Sequence, residues 1–231
     1  MLEYTEYQHA FISAMFYKKL KGLGDRGIAA FVLATQRYAE QRGSRMAQRA
    51  ISLGMPLDFT SYFALGEWDF SEFFKKNIKG DHVTVDNYGK DYVFNICACA
   101  WHEQYKEMEL IDGAHIYCAH LDVALARGFN PYLDFSVTQT MHVPGNDKCT
   151  FVLKEANVLG PVKKLSEWVM PFEYHCAHVY HTFREVTESI FCSEGTLIAS
   201  EVIKEFSEAY GKESADRLIR YKDTNFNVLA K

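Results

Sequence analysis

The chain contains no run of three or more consecutive lysines or arginines, and its 231 residues carry a formal net charge of -5. Nucleic-acid binding relies on a concentrated basic face, so a nucleic-acid partner is excluded. There is no apolar run of about 18 residues, the length a bilayer span requires, so no membrane partner is expected. The opening Met-Leu-Glu-Tyr-Thr-Glu has neither a basic n-region nor an apolar h-region, and the expected location is the cytoplasm. Six cysteines are present, but Cys97 and Cys99 form CxC rather than CxxC, and no second paired motif follows. That excludes a zinc ribbon. In a reducing compartment the six thiols are expected to be free. The HExxH, P-loop and GxGxxG motifs are missing, as are low-complexity segments, so the usual zinc-hydrolase, nucleotide and dinucleotide signatures are out and no cofactor is expected.

What is present is an apolar, aromatic-rich chain: 48% hydrophobic and 15% aromatic residues can bury a full core. One domain over 1–231 is expected, with a helical part over 1–54, a sheet over 81–155 and helices over 165–231. A small-molecule partner fits this composition, and a homo-oligomer is compatible with it. Tyr7, Phe11, Met15 and Phe16 recur at helical spacing before Gly22 and Gly24. A second helix from Asp25 to about Ile51 carries Ile28, Phe31, Val32 and Tyr38 as its apolar stripe. Arg37, Arg42, Arg45 and Arg49 lie along it. They read as a solvated face, although Arg42 and Arg45, three apart, can also hold a carboxylate together.

Alternation begins at Asp81, with strands near 82–86 and 91–99 about an Asn87-Tyr-Gly89-Lys turn. Tyr92, Phe94, Ile96 and Ala98 point one way, and Val93, Asn95, Cys97 and Cys99 the other. Trp101–Leu110 reads as helix, Ala114–Tyr117 as a short strand, and Leu121–Arg127 as a helical turn ended by Gly128. Leu133, Phe135, Val137, Gln139 and Met141 alternate with Asp134, Ser136, Thr138, Thr140 and His142, and a turn leads into Cys149–Leu153. Pro171 starts a helix with Phe172, Cys176, Val179, Phe183, Val186 and Ile190 on one stripe. Further helices follow over Ser200–Tyr210 and Lys212–Tyr221. The fold class is therefore α+β: N-terminal helices, a central antiparallel sheet of about four strands, and C-terminal helices packed on it.

The polar chemistry concentrates between Cys97 and Phe151, where four of the six cysteines stand with carboxylates and a histidine. Such groups serve as nucleophile, base and orienting group at neutral pH. Cys118 is the first candidate nucleophile, because a thiol between a strand and the start of a helix is biased toward thiolate; packing in the core is its other reading. Cys99 and Cys149 are secondary thiol candidates. His142 titrates near working pH and can act as base, or lie on the surface. Glu103 and Asp122 can orient a base or bind an amidinium, and Arg42 and Arg45 can take a substrate carboxylate. His175, His178 and His181 form HxxHxxH, but residues three apart on a helix fan their rings too widely for one ion, so a polar helix edge is expected and no metal.

Cys99-x-Trp101-x-Glu103, Tyr117-Cys118-x-x-x-Asp122, Gly128-Phe129-Asn130-Pro131, Thr138-x-Thr140 and Gly145-x-x-x-Cys149-x-Phe151 stand in this order, preceded by Tyr38-x-x-x-Arg42-Gly43-x-Arg45. Together they resemble the L-2-amino-thiazoline-4-carboxylic acid hydrolase family, a cytoplasmic bacterial group, over roughly residues 25 to 155. The resemblance implies hydrolytic opening of a cyclic isothiourea-like ring towards a carbamoyl-cysteine. Trp101, Asn130, Thr138 and Thr140 are substrate-binding candidates, the two threonines because they share a strand face with His142 that reads as wet or ligand-facing, or else as the outer face of a half-exposed sheet. More remotely, the Gly145 to Phe151 strand is similar to the ligand-binding 4-vinyl reductase domain. Two positions depart from the family pattern: Ala100 stands where proline is usual, and Asn146 where aspartate is usual. The expected function is a cysteine-assisted hydrolase of a small cyclic amidine. A non-catalytic ligand-binding domain and a metal-dependent hydrolase are the alternatives.

Overall fold

A computed structural model describes residues 3–78 and 81–229. Helix α1, Glu6–Lys21, opens with a capping box in which Thr5 and Gln8 satisfy each other's backbone N–H groups. Gly24, at φ 66, turns the chain into the long α2, Asp25–Ser52. An aromatic section follows with two short helices, α3 at Phe59–Ala64 and α4 at Glu72–Asn77, capped by Asp58 and Ser71. Strands β1, Val83–Asn87, and β2, Tyr92–Ile96, lead to α5, Ala100–Glu107. Then come α6, Ile111–Phe129, and strands β3, Asp134–Gln139, and β4, Cys149–Lys154. Helices α7, Phe172–Phe191, α8, Ser193–Tyr210, and α9, Lys212–Ile219, complete the chain.

The architecture is α+β, with all three strand pairs antiparallel in the order β1-β2-β4-β3. Phe94 opposes Phe151, and their rings stack at 4.9 Å. On the other side of the sheet, Asn95 donates to Thr84 and accepts from Thr150, and Cys97 meets the same Thr84. Helices α1, α2 and α7 enclose a core that includes Phe16, Phe31, Tyr38 and Phe183.

Three local expectations are corrected. Residues 114–117 are not a strand; they belong to the continuous α6, and Gly128 lies inside that helix. Gly128 and Gly43 are crossing points of α6 and α2: a Cβ on Gly128 would meet the Glu40 carbonyl at 2.5 Å, and one on Gly43 the Leu125 carbonyl at 2.1 Å. Cys99 does not share the Asn95 face, because β2 ends at Ile96 and Cys99 becomes the residue capping α5. Finally, Thr138, Thr140 and His142 do not form a row. A bulge between Val137 and Gln139 breaks the alternation, leaving Thr138 exposed while Thr140 and His142 are buried beyond the strand.

Candidate active site

The sheet, α6 and the 62–70 segment surround a cavity of about 370 Å³. Helix α6 contributes Tyr117, Cys118, Leu121, Asp122 and Leu125, the i, i+1, i+4, i+5, i+8 stripe that one helix face presents. The sheet contributes Ile96, Phe94, Val137, Cys149 and Phe151, with Phe94 and Ile96 on one face as their alternation indicates. Trp68, Trp101 and Phe172 add aromatic wall, and Arg42 and Lys164 are its cations. Asp69 and Val83 are exposed wall residues and mark the mouth.

Three thiols, Cys99, Cys118 and Cys149, therefore face one space. All six cysteines are unpaired. Burial pushes Cys118 well above the ordinary thiol range, Cys99 up to about 12 and Cys149 up to about 11. The expected helix-terminus effect is absent, since Cys118 lies two turns inside α6 and the helix dipole acts within the first turn. Cys118 has a different partner: His142 Nε2 lies 3.2 Å from its sulfur. The other His142 nitrogen, Nδ1, lies 3.2 Å from His102 Nδ1, and the two rings are stacked. Burial, then the neighbouring His102 and His115, lowers His142 to about 4. The pair is thus a neutral thiol against a neutral imidazole at pH 7. Cys149 accepts the Met141 N–H at 3.3 Å instead.

Asp122, one turn beyond Cys118, is raised by burial to about 6, with Arg42 opposing the rise. Arg42, Arg45 and Arg49 are not solvated; all three are buried around Glu67. Arg45 forks onto Glu67 at 2.8 and 2.6 Å, and Arg49 reaches it at 2.9 Å. Arg42 Nε stays 3.9 Å away and makes no hydrogen bond, while its guanidinium lies over the Trp68 ring at 4.6 Å. Arg45 is consumed by Glu67, and Arg42 alone of the three lines the cavity. Lys164 donates to the Trp68 carbonyl beside it, and burial lowers its affinity for a proton.

His142 and the remaining candidates other than Trp101 lie outside the cavity wall. Glu103 accepts from the Tyr7 hydroxyl. Asn130 bridges the Leu57 carbonyl and the Tyr132 N–H, shaping the turn after α6. Thr138 donates to the Thr150 carbonyl, and Thr140 meets His115 at 2.9 Å. The HxxHxxH histidines have separate partners, the Glu67 carbonyl for His175, Gln41 for His178 and the Leu218 carbonyl for His181. His175 and His178 are buried rather than edge positions. Among the described residues no group of three or more His, Cys, Asp or Glu side chains is placed to hold a metal ion.

Sequence reasoning missed Lys164, Trp68, Glu67 and His102. Glu67 and Trp68 sit in a stretch with no periodicity, and Lys164 follows Gly160-Pro161 in a loop, so neither pattern nor spacing marks them. His102 carried a weak signal, lying between Trp101 and Glu103 in a segment already singled out. Among the described residues no helix is long and apolar enough to cross a membrane. Neither a curated protein nor a solved structure matches the chain. Residues 4–153 match the family model described as L-2-amino-thiazoline-4-carboxylic acid hydrolase. That span reaches from the residue before the α1 cap to the inner face of β4 and includes Arg42, Cys99, Cys118, Asp122, His142 and Cys149, so the chain belongs to the L-2-amino-thiazoline-4-carboxylic acid hydrolase family.

Proposed function

We propose that the protein opens a small cyclic amidine or isothiourea carboxylate by hydrolysis, with Cys118 as nucleophile and His142 as its base. The observation that carries this reading is the 3.2 Å approach of His142 Nε2 to a thiol in the cavity wall, with Asp122 on the same helix face. Because both partners are neutral, the imidazole acts during attack, as in a serine–histidine pair, and holds no thiolate in advance. With Nε2 accepting the thiol proton, Nδ1 carries its hydrogen toward His102, which orients the ring.

The carbon flanked by nitrogen and sulfur is the electrophile. Cys118 sulfur bonds to it while its proton passes to His142; the ring carbon–sulfur bond then breaks, and the departing sulfur takes that proton. This leaves an S-linked isothiourea on Cys118. Water attacks the same carbon; one of its protons passes through His142 to the departing Cys118 sulfur as that carbon–sulfur bond breaks, and the other goes to the amidine nitrogen, leaving a carbonyl. One water is consumed and a carbamoyl-cysteine is released. Asp122, ionised above its pKa of about 6, faces the amidinium, and Arg42 with Lys164 faces the carboxylate.

Incubation with 2-amino-thiazoline-4-carboxylate tests this. Wild type should release free thiol, Cys118→Ser should lose roughly a thousandfold in turnover, about 4 kcal/mol, and a mass adduct should be trapped on the Cys118 peptide. A fully active Cys118→Ser enzyme, with Asp122→Asn dead, would refute covalent catalysis and point to Asp122 activating water directly.

A further inference from the structure

The cavity is too large and too apolar for a bare aminothiazoline carboxylate. At about 30 Å³ per liquid water, its 370 Å³ would take about a dozen waters, and it falls in the roughly 300–1,000 Å³ range of sites for drug-sized ligands. A single five-membered ring with a carboxylate fills a minor part of that. The polar groups are also one-sided. Cys118 and Asp122 come from α6, Arg42 from α2 and Lys164 from the loop after β4, whereas the facing sheet offers, Cys149 apart, the apolar side chains of Phe94, Phe151, Ile96 and Val137. The polar edge of a ligand held by the helices therefore leaves an aromatic floor uncovered, with Phe94 and Phe151 stacked at its centre. An apolar group that fills a space of this size gains contacts along its whole lining.

We propose that the substrate is an amphipathic carboxylate: a cyclic amidine bearing an aryl-sized apolar substituent that packs on the Phe94–Phe151 floor. The carboxylate and amidine ends of this assignment rest on the proposed hydrolase reading, but the apolar subsite does not. Burying a phenyl ring there should strengthen binding markedly, because aromatic groups carry large apolar area and gain further from offset or edge contacts with other rings.

Calorimetric titration of the wild-type chain with butyrate and 4-phenylbutyrate reads the subsite directly. The phenyl compound should bind at least tenfold more tightly, and Val137→Trp, which fills space beside Phe151, should erase that advantage, bringing the ratio of the two affinities close to one. Ala98→Leu, at another wall position, serves if the tryptophan variant does not fold. In parallel, 5-phenyl-2-amino-thiazoline-4-carboxylate should be hydrolysed with at least tenfold higher kcat/KM than the unsubstituted ring. Equal binding of the two butyrates overturns the inference, as does a folded Val137→Trp that keeps the phenyl preference. Turnover of the plain ring with no phenyl preference in either assay sinks the inference and leaves the hydrolase reading standing. Tight 4-phenylbutyrate binding with neither ring opened supports the subsite and refutes the hydrolase.

Discussion

An ionised carboxylate in a largely apolar wall weakens the fold that holds it. Asp122 has a folded-state pKa of about 6 against the ordinary 3.8. Between those values the folded chain keeps a proton that the unfolded chain has released, so this residue makes stability fall as pH rises through the window. At pH 7 the deficit is on the order of 1–3 kcal/mol. Asp122→Asn should therefore melt several degrees higher than wild type at pH 7, with the gap closing as pH is lowered toward 4. His142 is displaced the other way, to about 4, and its contribution is lost as pH falls below 6.5; comparing the two proteins at each pH cancels it. The same variant should lose roughly a hundredfold in activity, and the acid limb of kcat/KM near pH 6 should vanish. A wild-type limb that persists unchanged in Asp122→Asn would assign it to another group. At this scale residue type alone marks Cys118 and His142 as candidates, and the structure brings the two within 3.2 Å. Their pairing is not legible in the sequence, because an imidazole 24 residues away leaves no trace in local pattern.

The geometry of the proposed site is set by two helices that touch backbone to backbone. Gly43 and Gly128 let α2 and α6 approach so closely that a methyl group at either position collides with a main-chain carbonyl. Arg42 neighbours the first glycine, and α6 carries Cys118 and Asp122, so the crossing positions both ends of the site. Gly43→Ala should cost about 1–3 kcal/mol or more, read as a lower urea midpoint. The folded fraction should also lose activity, since a misplacement of about 1 Å can cost roughly a hundredfold. Gly160→Ala, where a Cβ meets nothing within 4 Å, should change neither quantity. Equal behaviour of the two variants would remove the crossing from the argument. Strands were the most legible elements: alternation over 92–96, 133–137 and 149–153 put the right side chains on the cavity face. Helix α6 was broken in two because Ala114–Tyr117 is short and apolar and because a glycine needed for packing looks the same in sequence as one that ends a helix.

The whole molecule is tied together at Glu67, which no local pattern marked. Arginines spaced along α2 read as solvent-facing because their partner is a loop residue more than a turn of sequence away and their cover comes from the far C-terminal part. Arg45 donates to the Phe226 carbonyl, Tyr174 of α7 lies 5.4 Å from the Arg45 guanidinium, and His175 meets the Glu67 carbonyl at 3.0 Å. Three buried guanidiniums around one carboxylate leave an excess of positive charge, which makes the two signs of deletion behave oppositely. Glu67→Gln strips the shared counter-charge and should cost about 3–5 kcal/mol, a large part of the roughly 5–15 kcal/mol available to a folded chain. Arg42→Met removes a guanidinium that makes no hydrogen bond through Nε and keeps apolar volume beside Trp68, and at pH 5, where Asp122 is protonated and needs no counter-charge, it should leave the urea midpoint unchanged or raised. Its effect should fall on ligand, with KM for a carboxylate substrate rising while the melting temperature does not fall. If Arg42→Met destabilised the chain as much as Glu67→Gln does, Arg42 would be a structural member of the cluster, and the cavity's carboxylate would have to be held by Lys164.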